Sequence, residues 1–214
     1  LVAADRRGLV EWGVLPDGTA RVTAPKQPVG LVALTHGQNE VGSLQPVADA
    51  ALVAEACAAP LHIDASQTLG RCELKDVVVV ADSITLSTHK AGGLRGCAVL
   101  IDRNPSTQPL LYGGGQQLAR RPGTESASLI AATALAVELA VSEWESRAEA
   151  MRIARDSFLS ELESGCSHVL TPTKSLPNTV MVLFDGIDSR GLLPALDMAG
   201  IEASQGSACS SGSP

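Results

Sequence analysis

Apolar positions in the first half of this chain come in short runs cut by polar turns. In the second half they spread over long Ala- and Leu-rich stretches. Residues 31–35 form an apolar run that breaks at His36-Gly37-Gln38-Asn39-Glu40, which predicts a strand entering a turn. Pro46 suits the first turn of a helix that runs to about Ala58 on Val47, Ala50, Ala51, Ala54 and Cys57, with Pro60 closing it. Residues 61–64, 83–87 and 96–101 read as further strands, and 77–81 as a buried strand or packed turn. The opening reads as two short strands, 9–14 and 20–23, about Pro16-Asp17-Gly18-Thr19. Residues 110–123, with three consecutive glycines, predict a loop. From Ser126 to about Glu163 the chain reads as helix with one break, joining a first domain to a second. Residues 179–184 alternate like a strand. Asp188 or Ser189 can cap a helix on Leu192, Leu193, Leu196 and Met198 that Gly200 ends. Residues 201–204 read as a last strand before a small-residue loop.

Strands alternating with helical or loop connections predict an α/β domain with a largely parallel sheet. Ligands of such sheets bind at the carboxyl ends of the strands. Asn39, Asp64 and the group from Ser87 to Lys90 all fall there, so three strands deliver polar groups to one rim.

Composition narrows the function classes. The 214 residues carry a net charge of -7, are 45% hydrophobic and contain only 2% aromatics. There is no basic block and little to stack on bases, which argues against nucleic acid as a ligand. An anionic membrane surface is equally unsupported, and no apolar run has the length of a membrane helix. Five cysteines at 57, 72, 97, 166 and 209 form no metal-site spacing, and their odd count argues against a disulfide framework. Free thiols in a reducing compartment, the cytoplasm, are the expectation.

The candidate chemistry sits on the rim. Lys90 follows Ser87, Thr88 and His89 and precedes Gly92-Gly93. It is either a surface lysine or, where its neutral amine is accessible, a Schiff-base former beside good phosphate donors. Asp64 is either a cap or a carboxylate partner for a cation such as a protonated pyridine nitrogen, with Gln67 able to donate to the same ligand. Asn39 is a common turn residue that gains weight from sharing the rim. Cys209 differs from the other cysteines because its loop of small residues cannot pack tightly. It is either an incidental thiol or a mobile nucleophile.

Taken in order, these segments resemble the cysteine desulfurases, pyridoxal-phosphate enzymes of the class V aminotransferase family. His36 to Gly42 resembles H-x-N-N-E-x-G, and His62 to Gln67 resembles H-V-D-A-x-Q. Ser87-Thr88-His89-Lys90 is followed by glycines, and Gly113 to Thr124 is similar to G-G-G-x-E-x-x-x-R-S-G-T. Gly206 to Gly212 resembles the loop whose cysteine is catalytic in one desulfurase group.

The resemblance implies a fold type I pyridoxal-phosphate transferase. Residues 1–140 would be part of the large cofactor-binding α/β domain, with an incomplete, mostly parallel sheet. Residues 141–214 would be a linking helix and part of a small α+β C-terminal domain. It implies that Lys90 forms the Schiff base with the cofactor, Asp64 pairs with the pyridine nitrogen, and Gln67 and Asn39 hold the ring hydroxyl side. Ser87 and His89 would bind the phosphate, and Thr124 would reach the phosphate of the other subunit of a homodimer. Cys209 would take sulfur from L-cysteine, leaving L-alanine and a persulfide for acceptor or scaffold proteins of iron–sulfur cluster assembly or tRNA thiolation.

Gln38, Gln117 and Pro122 depart from the motifs. An upstream phosphate loop with a stacking histidine and a substrate-binding arginine after the cysteine have no counterpart. The expectation is therefore the central and C-terminal part of a longer desulfurase. Two alternatives stay open: another class V aminotransferase or lyase, and an inactive remnant that only dimerises or binds a partner.

Overall fold

The computed structural model describes residues 8–104, 107–162 and 167–205. Its centre is a four-stranded sheet in the order β1 (Val32–Thr35), β2 (Leu61–Asp64), β3 (Ser83–Leu86) and β4 (Val99–Asp102). β1, β2 and β3 are parallel, and β4 runs antiparallel to β3. A parallel pair needs a crossover element to bring the chain back. Helices α1 (Val47–Ala56) and α2 (Lys75–Val80) supply it between β1 and β2 and between β2 and β3. Val32, Leu61, Ile63, Ile84 and Leu86 alternate onto one sheet face, where Val47, Ala50, Ala54 and Val77 bury them. Aromatic residues are nearly absent, so small aliphatic side chains fill this core.

The opposite sheet face is polar. His62 shares hydrogen bonds with Ser83 Oγ (2.8 Å) through Nδ1 and with Thr85 Oγ1 (3.2 Å) through Nε2, and Asp64 lies on the same side.

Helices α3 (Ala127–Ser142) and α4 (Trp144–Glu161) meet at Glu143 with a 71° bend, which is the expected single break. Beyond them lie a two-stranded antiparallel sheet, β5 (Ser167–Val169) with β6 (Val182–Phe184), and helix α5 (Ser189–Met198). Asp188 caps α5 by accepting from the Arg190 amide at 3.0 Å. Residues 174–176 are stitched to the turn after β1. The Leu44 amide donates to the Lys174 carbonyl and the Leu176 amide to the Gly42 carbonyl, with Leu176 fully buried.

Four local expectations are corrected. Residues 77–80 belong to α2 rather than a strand or turn, and only Val77 is buried there. The need for a crossover outweighs the β-propensity of four valines. The opening segment forms a turn closed by a single bridge, Val14 to Ala20, and no strands. Residues 201–204 are irregular, with Ile201 51% exposed, and among the described residues no strand pairs with them. Met198 is 90% exposed and does not join the packed side of α5. Strand β5 was not anticipated, and β4 starts three residues later than the apolar pattern suggests.

Candidate active site

Sheet register places the rim. Thr35 pairs with Asp64 and Asp64 with Thr85, so the carboxyl ends of β1, β2 and β3 finish in one row. From this row the chain leaves in three turns that carry the candidate residues.

The first turn, after β1, is pinned by Gln38, whose Oε1 accepts from the Glu40 and Val41 amides, both at 2.7 Å. Gln38 is thus a turn anchor, and Asn39 is left exposed to solvent. His36 is packed beneath. The Thr68 hydroxyl shares a hydrogen bond with His36 Nδ1 (3.0 Å) and lies 3.3 Å from the Ala65 carbonyl. Burial, with Lys174 nearby, holds the His36 imidazole below its usual pKa and favours the neutral ring.

The second turn, after β2, opens with Asp64. One carboxylate oxygen, Oδ1, accepts from the Ser66 amide at 2.8 Å, and among the described residues Oδ2 has no partner. Asp64 therefore caps its turn through Oδ1, while Oδ2 is left unengaged among the described residues. Gln67 is half-buried on the same turn.

The third turn, after β3, is a 3-10 turn at Thr88–Ala91, closed by Gly92 in the left-handed region at φ 95°. Lys90 and His89 are exposed on it, and Ser87 Oγ meets His89 Nδ1 at 3.1 Å. Thr88 is fully buried and its hydroxyl has no partner among the described residues, so the hydroxyl–imidazole pair on this turn is Ser87 with His89. Helix α3 packs directly on this turn. A Cβ at Gly93 would lie 2.9 Å from Ala136 Cβ, so only glycine permits the approach.

Arg71, which the sequence reading passed over, ties the second and third turns together. Nη1 donates to the Gln67 carbonyl (2.8 Å) and to Gln67 Oε1 (2.9 Å), and Nη2 donates to the Lys90 carbonyl (2.7 Å). Its one signal in the sequence is the four-residue spacing from Gln67. From the start of α4, Arg147 donates to the next carbonyl, Ala91, at 3.0 Å while paired with Glu143.

Asp64, Gln67, Ser87, His89 and Lys90 thus share one rim. Thr124 is exposed in the loop leading into α3, beside a left-handed run at Gln117, Leu118 and Ala119. Cys209 and Cys166 lie outside the described residues. Cys57, Cys72 and Cys97 are free and half-buried, and burial pushes the Cys72 thiol up to about 11.

Residues 18–213 match the model of the class-V aminotransferases. The chain belongs to that family. It is 36% identical over 184 residues to a protein named cysteine desulfurase IscS 1 of Archaeoglobus fulgidus, covering 85% of this chain and 48% of that protein. It is 33% identical over 213 residues to the cysteine desulfurase IscS of Dictyoglomus turgidum, covering 98% of this chain and 52% of the relative. A solved structure described as a NifS-like protein superposes with a TM-score of 0.83 at 31% identity, over 91% of this chain and 55% of the other. The chain spans about half the length of the curated relatives it matches.

Proposed function

We propose that the protein is a cysteine desulfurase dependent on pyridoxal phosphate, taking sulfur from L-cysteine to give L-alanine and a persulfide on Cys209. The observation that carries this reading is the rim itself. A carboxylate with one unengaged oxygen, an amide, an accessible amine and a hydroxyl–imidazole pair lie at the ends of adjacent parallel strands. That donor set fits a flat ring with a basic nitrogen, a hydroxyl, an aldehyde and a phosphate. Support also comes from the relatives named as cysteine desulfurases.

Bound there, pyridoxal phosphate supplies an electron sink for the bonds at the substrate α-carbon. Asp64 Oδ2 would keep the proton on the pyridine nitrogen, and Gln67 and Asn39 would address the ring hydroxyl. Ser87 and His89 would hold the phosphate, joined by Thr124 of a second copy in a homodimer. Lys90 Nζ would bond the cofactor, then take and return the α-proton of the substrate. The Cys209 thiolate would attack the substrate sulfur. An S–S bond forms and the Cβ–S bond breaks, with the electron pair leaving on the carbon side. The persulfide would pass to an acceptor or scaffold protein for iron–sulfur cluster assembly or tRNA thiolation in the cytoplasm.

The test is borohydride reduction of the intact protein with pyridoxal phosphate, peptide mapping, and assay of L-alanine from L-cysteine. A stoichiometric adduct on Lys90 is expected, with alanine formation that Cys209→Ala abolishes. An adduct scattered over several lysines, or alanine formation untouched by Cys209→Ala, refutes the assignment.

A further inference from the structure

Arg71 is half-buried between the two turns that carry Gln67 and Lys90, and its two terminal nitrogens donate to protein acceptors. Burial pulls its pKa below the usual guanidinium value, and its Nε is buried without a partner. Placing a cation here is unfavourable unless its remaining hydrogen bonds accomplish something.

The geometry of the Gln67 amide shows what those bonds accomplish. A guanidinium has donors only, so the group it meets at 2.9 Å must be the amide oxygen. With Oε1 fixed on Arg71, the Gln67 NH2 has to point away from it. The Gln67 carbonyl, held at 2.8 Å by the same Nη1, fixes the backbone from which that side chain springs. The other arm of the fork, Nη2, holds the Lys90 carbonyl at 2.7 Å. One rigid planar group therefore sets the polarity of the amide and the position of the lysine turn together. A lysine at this position would be a single point donor without the fork.

We infer that Arg71 is a positioning residue of the rim: it forces Gln67 to act as a hydrogen-bond donor toward a bound ring oxygen and fixes the Lys90 turn at the matching distance. This rests on the reading of the rim as a pyridoxal-phosphate site. Arg147, which holds the neighbouring Ala91 carbonyl, steadies the same turn from α4 without touching Gln67. It therefore provides the contrast for a role confined to holding the turn.

The experiment compares the intact protein with Arg71→Met, Arg71→Lys, Gln67→Ala, Arg71→Met/Gln67→Ala and Arg147→Met. Each is titrated with pyridoxal phosphate for its Kd. Each bound form is then titrated with acid and base to find the pH midpoint of its visible absorbance band. A donor to the ring oxygen stabilises its ionised form, so losing that donor moves the midpoint. Arg71→Met should weaken binding about tenfold. It should also move the midpoint in the same direction as Gln67→Ala. The double variant should be within about twofold of the weaker single variant, because both remove one coupled unit. Arg71→Lys should lie between wild type and Arg71→Met, and Arg147→Met should weaken binding with the midpoint in place.

Fully multiplying effects in the double variant, or a wild-type midpoint in Arg71→Met while Gln67→Ala moves it, overturns the inference and leaves the proposed function standing. Should Arg71→Met show no cooperative melt by circular dichroism, Arg71→Lys carries the test. Its midpoint then has to move part of the way toward that of Gln67→Ala, and an unmoved one overturns the inference. A wild-type protein that gives no borohydride adduct on Lys90 removes the proposed function and this inference with it.

Discussion

Replacing Gly93 by alanine tests the seat of the lysine turn on α3. The added methyl would sit 2.9 Å from Ala136 Cβ and 3.0 Å from both Thr88 Cβ and the Thr88 carbonyl oxygen. None of these is the tip of a flexible side chain. Reaching ordinary contact requires the turn and the helix to part by roughly half an ångström, and overpacking of this kind costs about 1–3 kcal/mol. Alanine also restricts the unfolded chain more than glycine, which returns about 0.4–1 kcal/mol. The net expectation is a loss of about 1–2 kcal/mol. Equilibrium urea unfolding of the intact protein should show a lower midpoint with an unchanged m-value. Gly115→Ala is the control, because nothing lies within 4 Å of a Cβ there. Lys90 rides on the displaced turn, so borohydride trapping with pyridoxal phosphate should also fall in Gly93→Ala. A Gly93→Ala protein as stable as Gly115→Ala would refute the reasoning, since α3 would then yield to the methyl at no cost.

Two further predictions concern titration. The Cys72 thiol is raised by burial from 9.0 to about 11, partly countered by Arg71. The folded state then binds more protons than the unfolded state in that window. The stability from the neutral thiol is complete below about pH 9 and is lost as pH climbs toward 11. Partial exposure limits the loss to at most about 2 kcal/mol. Unfolding curves at successive alkaline pH values should therefore be flatter for Cys72→Ala than for wild type, and equal slopes would exclude the mechanism. The His36 imidazole is lowered by burial and by Lys174, so its contribution is present above about pH 6.5 and declines as pH falls. An NMR titration of the His36 ring in the folded protein should give a midpoint below 6.5, and a midpoint at or above it contradicts the buried, neutral ring.

The rim was legible because strand ends announce themselves. Residues 31–35 and 61–64 are apolar runs that stop at Asn-, Asp- or Gly-containing turns, and the turn residues are the chemical ones. That the long helical stretch breaks once was legible in the sequence, whereas the position of the break, Glu143, was not. What failed was local propensity at sites decided by tertiary pairing. The four valines of α2 prefer a strand in isolation, yet the parallel order of β2 and β3 demands a helix between them. Residues 201–204 have a strand's composition and, among the described residues, no strand to pair with. Gln38 was visible as a departure from a motif, but its use as a double acceptor for backbone amides needs the turn's geometry. Arg71 was invisible for a related reason. Its acceptors include a backbone carbonyl nineteen residues away, and no side-chain pattern records a carbonyl.

The order of the rim along the chain bears on how it comes into being. His36, Asp64, Gln67, Arg71 and Lys90 belong to consecutive strand–helix–strand units, and neighbouring units in sequence are neighbours in the sheet. Closing each unit brings together segments only about thirty residues apart, so the entropy of loop closure is small at every step. A nascent chain that has cleared the ribosome only as far as residue 102 already holds the four described strands of this sheet. The strand ends can therefore be aligned before α3 and Arg147 of α4 arrive to brace the Lys90 turn. Vectorial synthesis thus favours an order in which the strand ends form first and the later helices dock onto them.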